Sequence, residues 1–150
     1  MGFTKNFINV WKMKKVKTSD LRIGNWLYDN QPKGFPMQVE GIGIDWIYLN
    51  FEGNDGDVFE NNGDEIYPIP ISVELLSNLS KNLISDGYII YIGSENIEFS
   101  VERKDEIINL VPCVNYDEYD IGKPIRYVHQ LQNLYKELTG NELEIRREWL

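Results

Sequence analysis

The chain has 150 residues, of which 42% are hydrophobic and 13% aromatic, so it can bury a substantial core and is not disordered throughout. Its formal net charge is −9, and because residues 1–17 contribute +5, the rest of the chain carries −14. Such an acidic body repels phosphate backbones and argues against general nucleic-acid binding, although it is compatible with mimicry of nucleic acid by carboxylates.

The first 17 residues differ from the rest in composition. They mix five lysines with Phe3, Phe7 and Trp11 and contain no acid. We predict a basic N-terminal extension over 1–17, loosely ordered, with Met13 as an alternative initiator. The other interpretation is a basic amphipathic helix that contacts a membrane or a partner. No signal peptide is predicted, because the segment has no continuous apolar stretch and no small-residue cleavage site.

Strand and turn patterns dominate residues 19–71. Short runs of β-branched and aromatic residues alternate with turns that contain Gly, Asn or Asp. The run Ile44–Phe51 is apolar on both faces, which predicts a strand covered on each side. Gly41 and Gly43 indicate a bulge or tight bend before it. These short strands predict a small, strongly bent antiparallel sheet or an SH3-like barrel, with strands at Trp26–Tyr28, Met37–Ile42, Ile44–Phe51, Val58–Glu60 and Glu65–Ile69.

Two helices flank a second β section. Ser72 is a suitable N-cap for a helix that runs to about Ser85, where Gly87 would stop it. Three strands follow at Tyr88–Ile92, Ile97–Val101 and Ile107–Val114, with Pro112 marking an edge or a strand end. Residues 115–122 read as an acidic loop. Pro124 then opens a helix over Ile125–Thr139 that ends before Gly140 and buries an apolar stripe made of Ile125, Val128, Leu131, Leu134, Tyr135 and Leu138.

The predicted fold class is α+β. It consists of an N-terminal small antiparallel (SH3-like) sheet, a helix, a second antiparallel β section and a C-terminal helix packed on the sheet. Because no linker rich in Pro, Ser or Gly interrupts the chain, residues 18–150 are predicted to form one domain.

Residue types that carry chemistry are scarce. His129 and Cys113 are single, and a nucleophile–base pair would also need a carboxylate such as Asp117 or Asp120 to orient the histidine. A lone Cys in an apolar strand and a lone His on a helix favour core positions, so we predict no catalytic residues. The acidic stretch 55–65 departs from the calcium-loop pattern, since its sixth position is Glu60. No metal site and no cofactor are predicted.

A surface around the last helix offers the groups that dominate protein interfaces. Aromatic, amide and Arg side chains occur together there, and these residue types are enriched at interface centres. The candidate interaction surface consists of Tyr116, Asp117, Tyr119, Asp120, Arg126, Tyr127, Gln130 and Asn133. The alternative is that these residues only solubilise the helix.

Three segments resemble a known group of proteins. Leu21–Tyr28, Tyr67–Ile71 and Ile125–Tyr135 followed by Leu138–Gly140 are similar to a family of small uncharacterised proteins encoded by gut Bacteroidetes, their prophages and their phages. The resemblance covers most of residues 19–143, but the residues before Met13 depart from the family pattern. It implies a phage or mobile-element origin and transfers no reaction and no catalytic residue.

These observations favour a non-enzymatic accessory protein of a phage or mobile element that binds a host or phage protein. A sharper version is an inhibitor of a host defence or metabolic protein, which would use the acidic stretches 55–65 and 117–120. The alternatives are a structural or assembly component of the virion and a small-ligand or nucleotide-binding domain. No apolar run reaches the ~20 residues that span a bilayer, and the expected location is the bacterial host cytoplasm, with the virion as the second choice.

Overall fold

The computed structural model describes residues 15–30, 33–54, 56, 58–80, 88–114, 117–118 and 124–150. The chain divides into two compact units, residues 1–69 and 70–150. Over these described residues the fold class is α+β, as predicted, with two antiparallel sheets, two α-helices and two short 3-10 helices at Thr18–Asp20 and Arg147–Trp149. The prediction that residues 18–150 form one domain stays a prediction.

The first unit contains a five-stranded antiparallel sheet. Its strands follow one another in the order β4-β3-β2-β1-β5, so β5 returns to pair with β1 at the start of the meander. The small antiparallel N-terminal sheet agrees with the prediction, which left the order of the strands open. The strands are β1 (Trp26–Asp29), β2 (Pro36–Ile42), β3 (Ile47–Asn50), β4 (Phe59–Asn61) and β5 (Ile66–Pro68).

One face of this sheet carries the core of the unit. Alternate positions of β2 and β3 are buried, as the two-residue period of a strand requires. Val16 belongs to this core and its backbone N–H donates to the carbonyl of Ile66 at 2.9 Å, so this residue of the segment predicted as a loose extension packs in the folded unit. Residues 1–14 lie outside the described residues. The core cluster comprises Val16, Leu27, Met37, Val39, Ile47, Leu49 and Ile66.

The connection between β2 and β3 corrects one prediction and confirms another. The pairing register shifts between Val39 and Gly41, which is the bulge predicted at the glycines. However, the following strand begins only at Ile47 and is not covered on both faces. Gly43 N–H donates to the carbonyl of Trp46 at 2.8 Å, so this stretch closes a turn, and Ile44 is fully exposed. The apolar run therefore includes the tip of a hairpin, which alternation alone does not reveal.

The second unit begins with a short helix. Helix α1 (Val73–Leu79) is capped by Ser72, whose hydroxyl accepts from the backbone N–H of Leu75 at 3.1 Å, as predicted. The predicted end near Ser85 is wrong, because Ser80 already has extended backbone (φ −123°, ψ 145°). Leu83, Ile84 and Gly87 lie outside the described residues.

A four-stranded antiparallel sheet follows, in the order β6-β7-β8-β9. Its last strand falls within the stretch predicted as an acidic loop, because Asp117 and Glu118 pair with the end of β8. Pro112 lies inside β8 opposite Phe99 and not at a strand end. The backbone groups of Leu110, two residues earlier, bond to Ile125 and not to β7. Because residues two apart in a strand face the same side, the nitrogen of Pro112 also points away from β7, and its missing N–H costs no bond to that strand. The strands are β6 (Ile89–Ile92), β7 (Ile97–Lys104), β8 (Ile107–Val114) and β9 (Asp117–Glu118).

The last helix, α2 (Val128–Thr139), starts three residues later than predicted. Ile125 is not helical, since it forms an antiparallel bridge with Leu110. Gly140 ends the helix at φ 77°, as predicted. Leu138 is exposed, contrary to the predicted stripe, whereas His129 and Gln132 are buried. The buried positions 128, 131, 132 and 135 share one face through spacings of three and four residues, and this face includes the polar Gln132.

Helix α2 contacts the β6–β7 turn through Tyr135. The tyrosine is buried, and its hydroxyl accepts from the backbone N–H of Glu95 at 3.1 Å. Gly93 in this turn has φ 73°, and a Cβ atom there would lie 2.5–2.7 Å from the hydroxyl oxygen and two ring carbons of Tyr135. The turn therefore requires a glycine both for its backbone conformation and for the close approach of the ring.

Candidate functional site

The predicted interaction surface is only partly described, and its members have several different roles. Tyr116, Tyr119 and Asp120 lie outside the described residues, as does the side chain of Asp117. Tyr127 is half-buried and stacks on the ring of His129, with centroids 6.1 Å apart. Tyr127 is therefore placed by the structure, whereas the other four members of the predicted surface named here lie outside the described side chains.

Two of the remaining residues stabilise the start of helix α2. The Oε1 atom of Gln130 accepts from the backbone N–H groups of Arg126 at 3.0 Å and Tyr127 at 3.2 Å. These bonds satisfy donors that a helix N-terminus otherwise leaves open. The exposed Arg126 donates from Nε to Oδ1 of Asn109 at 3.0 Å. Gln130 therefore has a structural task, and Asn133 is half-buried in the same helix.

His129 and Cys113 are both core residues. The imidazole is 5% exposed, and the thiol is 7% exposed with its Sγ donating to the carbonyl of Val111 at 3.4 Å. These positions agree with the interpretation of both residues as part of the core. Within the described ranges, no group of three or more His, Cys, Asp or Glu side chains is placed to hold a metal ion. Of the acidic stretch 55–65, Asp55 and Asp57 lie outside those ranges.

The first unit presents an aromatic cluster at its surface that the sequence did not reveal. Phe51 contacts Phe35 edge to face at a centroid distance of 5.2 Å, and it stacks on Phe59 at 6.2 Å. Phe35 is 51% and Phe59 45% exposed, while Phe51 is half-buried and packs against the core cluster. We call these three residues the aromatic patch. Contiguous exposed rings of this kind are a feature of interaction surfaces, whereas single exposed apolar residues are ordinary.

A hydrogen-bonded turn fixes the backbone of Phe51, the central residue of the patch. The side-chain oxygen of Asn50 accepts from the backbone N–H of Phe51 at 2.9 Å and from the amide of Asn54 at 2.7 Å. In turn, the backbone N–H of Asn54 donates to the carbonyl of Phe51 at 3.2 Å. These bonds hold the backbone of Phe51 on both sides, so binding of a partner need not order this central residue of the patch.

The aromatic patch belongs to an acidic part of the sequence. The stretch 34–69, which supplies strands β2 to β5, contains eight acids and no Lys, Arg or His. Glu52 and Glu60 directly follow Phe51 and Phe59 in the sequence, and both are exposed. The nearest base before the patch is the exposed Lys33. The aromatic patch therefore lies on the most acidic stretch of the chain.

A polar cleft of about 470 Å³ opens beside strand β4. Its walls carry three exposed carboxylates and one exposed ammonium group, that of Lys15, together with amide groups and one partly exposed tryptophan ring. Cationic groups suit such a lining, since carboxylates accept their hydrogen bonds and the face of a tryptophan attracts positive charge. The cleft is lined by Lys15, Asn30, Trp46, Glu60, Asn61, Asn62, Asp64 and Glu65.

Asn61 forms the floor of this cleft and holds the surrounding loops together. It is 4% exposed, and its amide nitrogen donates to Oδ1 of Asp29 at 2.6 Å and to the carbonyl of Glu65 at 3.2 Å. Its oxygen accepts from the backbone N–H of Gly63 at 2.8 Å. Because its hydrogen-bonding groups are engaged within the unit, Asn61 is a structural residue and the exposed carboxylates are the groups that a ligand can reach.

No helix within the described ranges is long and apolar enough to cross a membrane. Compared with protein-family models, curated proteins and solved structures, the chain gives no match. Its function is therefore inferred from its own residues.

Proposed function

We propose that this chain is a non-enzymatic accessory protein of a phage or mobile element that acts by binding a host or phage protein. The observation that carries the proposal is the aromatic patch of Phe35, Phe51 and Phe59, which combines exposed rings with a fixed geometry. The resemblance in sequence to proteins of Bacteroidetes phages and prophages supports the origin, and the host cytoplasm is the proposed place of action.

The size of the patch limits how it can work. Phe35 and Phe59 together expose about as much surface as one phenylalanine fully in solvent. A ring of this kind buries roughly 150–250 Å², which corresponds to roughly 4–6 kcal/mol of transfer free energy at ~25 cal/mol per Å². Association costs an estimated 4–15 kcal/mol in lost freedom. The patch is therefore the centre of a larger interface, whose surrounding contacts must supply the remaining free energy.

Affinity capture with matched variants tests this proposal. Tagged full chain is incubated with lysate of a gut Bacteroidetes strain, in parallel with Phe35→Ala/Phe59→Ala and with the control Ile107→Ala. Ile107 is 48% exposed, like the two phenylalanines, but lies in the second unit. We expect at least one protein to be retained by the wild type and the control and lost from the double variant.

Two results would overturn the proposal. The first is a capture experiment in which the wild type and the double variant retain the same proteins, or in which the wild type retains no protein beyond those found with the tag alone. The other comes from light scattering. If many copies of this chain assemble into a ring or shell, the proposal of an accessory protein is wrong and the chain is a virion or assembly component. Urea unfolding of each variant shows whether it remains folded before its captured proteins are compared.

A further inference from the structure

We propose that the protein bound at the aromatic patch presents a basic segment, in which an apolar or aromatic anchor residue is flanked by Lys or Arg. This inference depends on the proposed function and specifies the chemistry of its partner. It is carried by two independent features of the first unit, the exposed rings and the absence of any base from the stretch 34–69.

The rings supply the position for the anchor. Phe51 rests on the core cluster and is held by Asn50 and Asn54, so its ring cannot collapse inward when a partner leaves. Phe35 and Phe59 flank it with about half of their surface in solvent. An apolar side chain that settles on these rings replaces ring–water contacts with ring–side-chain contacts, and the patch loses little conformational entropy in the process.

The charges select the residues on either side of the anchor. Glu52 is exposed and follows Phe51 in the turn after β3, and the exposed Glu60 follows Phe59 in β4, where its side chain points to the opposite face of the strand. Two further exposed carboxylates, Asp64 and Glu65, line the neighbouring cleft together with Glu60. An acidic segment would be repelled by all of these groups, and a neutral segment would gain nothing from them. A basic segment is attracted over a distance of about 10 Å at moderate salt, which raises its association rate.

Aromatic faces reinforce the same preference. Lys and Arg are attracted to the electron-rich face of an aromatic ring, and Arg can stack its planar group on it. Trp46 is 45% exposed and lines the cleft with three carboxylates and one lysine, Lys15, so the charged lining is negative overall and stands beside an exposed ring. Basic residues therefore fit both the patch and its acidic surroundings, whereas phosphate-bearing nucleic acid is repelled.

Fluorescence anisotropy with synthetic peptides and the full chain tests this inference. Four labelled peptides of one length are compared, three of which share the anchor Leu-Phe-Leu and carry flanks of Lys and Arg, of Ser, or of Glu. The fourth keeps the basic flanks but replaces the anchor with Ser-Gly-Ser. We expect the basic anchored peptide to bind at least about tenfold more tightly than each of the other three.

Variants connect the binding to the structure. Phe35→Ala/Phe59→Ala should weaken the basic anchored peptide about tenfold, and Ile107→Ala should leave it unchanged. Glu52→Gln/Glu60→Gln should weaken the same peptide about threefold or more at low salt, and this difference should fade near 0.5 M salt, where charges are screened. The carboxylate-to-amide changes preserve side-chain size, so a loss of binding reflects charge.

The outcomes separate this inference from the proposed function. Equal binding of the basic and Ser-flanked peptides, or binding that ignores the phenylalanines, would overturn the basic-segment assignment. Capture of a lysate protein that depends on Phe35 and Phe59 would then still support the function. Concentration-dependent dimers that are lost in Phe35→Ala/Phe59→Ala would also overturn the assignment, because a second copy of the chain would then cover the patch.

Discussion

Replacement of Gly93 by Ala tests how helix α2 is attached to its sheet. The backbone of Gly93 has φ 73°, a conformation that costs a residue with a Cβ roughly 1–2 kcal/mol. The added Cβ would also lie 2.5–2.7 Å from Tyr135, closer than real Cβ atoms approach other heavy atoms. Because Tyr135 is 1% exposed, its ring has no solvent to move into.

The magnitude follows from these contacts. Relief of the overlap requires the ring to shift, at a cost of about 1–3 kcal/mol for overpacking. The shift also breaks the 3.1 Å bond from the N–H of Glu95 to the tyrosine hydroxyl, which costs about 1 kcal/mol more. Together with the backbone conformation, Gly93→Ala should lower the free energy of unfolding by about 3–6 kcal/mol, a large part of the 5–15 kcal/mol typical of a folded protein.

Gly140→Ala is the matched control. Gly140 has nearly the same backbone conformation, with φ 77°, but a Cβ there would meet no atom within 4 Å. It should therefore cost only the conformational part, about 1–2 kcal/mol. Urea unfolding followed by circular dichroism gives both values, and an unchanged slope with urea shows that two-state behaviour is retained. Equal losses in the two variants would refute the close packing of Tyr135 on the β6–β7 turn.

Three further predictions concern the first unit. Asn61→Ala should lower the free energy of unfolding by about 2–4 kcal/mol because it leaves buried groups unsatisfied, whereas Asn62→Ala, which removes one exposed bond, should cost less than about 1 kcal/mol in the same urea experiment. Burial raises the pKa of Tyr28 above 10.0, so the stability it contributes is present below pH 10 and is lost as the pH rises through the higher folded-state pKa. Urea unfolding between about pH 9 and pH 11 should therefore show a smaller loss for Tyr28→Phe than for the wild type. Phe35→Ala and Phe59→Ala should each cost less than about 2 kcal/mol, because half of each ring is already in solvent.

Each of these has a contradicting result. Equal costs for the two asparagine variants would remove the structural role of Asn61. An identical alkaline loss in the wild type and Tyr28→Phe would mean that this tyrosine titrates alike in the folded and unfolded chain. A loss above about 3 kcal/mol for either phenylalanine would indicate a core ring and not an exposed one.

Local signals predicted much of the fold. The β6–β7 hairpin follows from two β-branched runs separated by a Gly-containing turn, and Ser72 and Gly140 mark helix ends through interactions within a few residues. The start of α2 was placed too early because Pro124 and Ile125 fit the helical pattern, while a bridge between Ile125 and Leu110, distant in sequence, holds that stretch extended. Propensity could not reveal this competing pairing.

The aromatic patch was not predicted for a related reason. Phe51 and Phe59 occur in strand-like runs, where a phenylalanine is ordinarily assigned to the core. The exposure of Phe59 depends on β4 lying at the edge of the sheet, which follows from the order of all five strands. Gln130 shows the opposite case. It was assigned to the interaction surface, although its position three residues after Tyr127 is a capping distance that the sequence does contain.

Site-specific photo-crosslinking tests the central claim most directly. A photoreactive phenylalanine analogue is placed at position 59 or at position 107 of the full chain, and each protein is irradiated in host lysate. We predict that position 59 forms a discrete crosslink to another protein, with basic residues near the attachment point, and that position 107 does not. Crosslinks from position 107 alone, or the same products from both positions, would contradict binding at the aromatic patch.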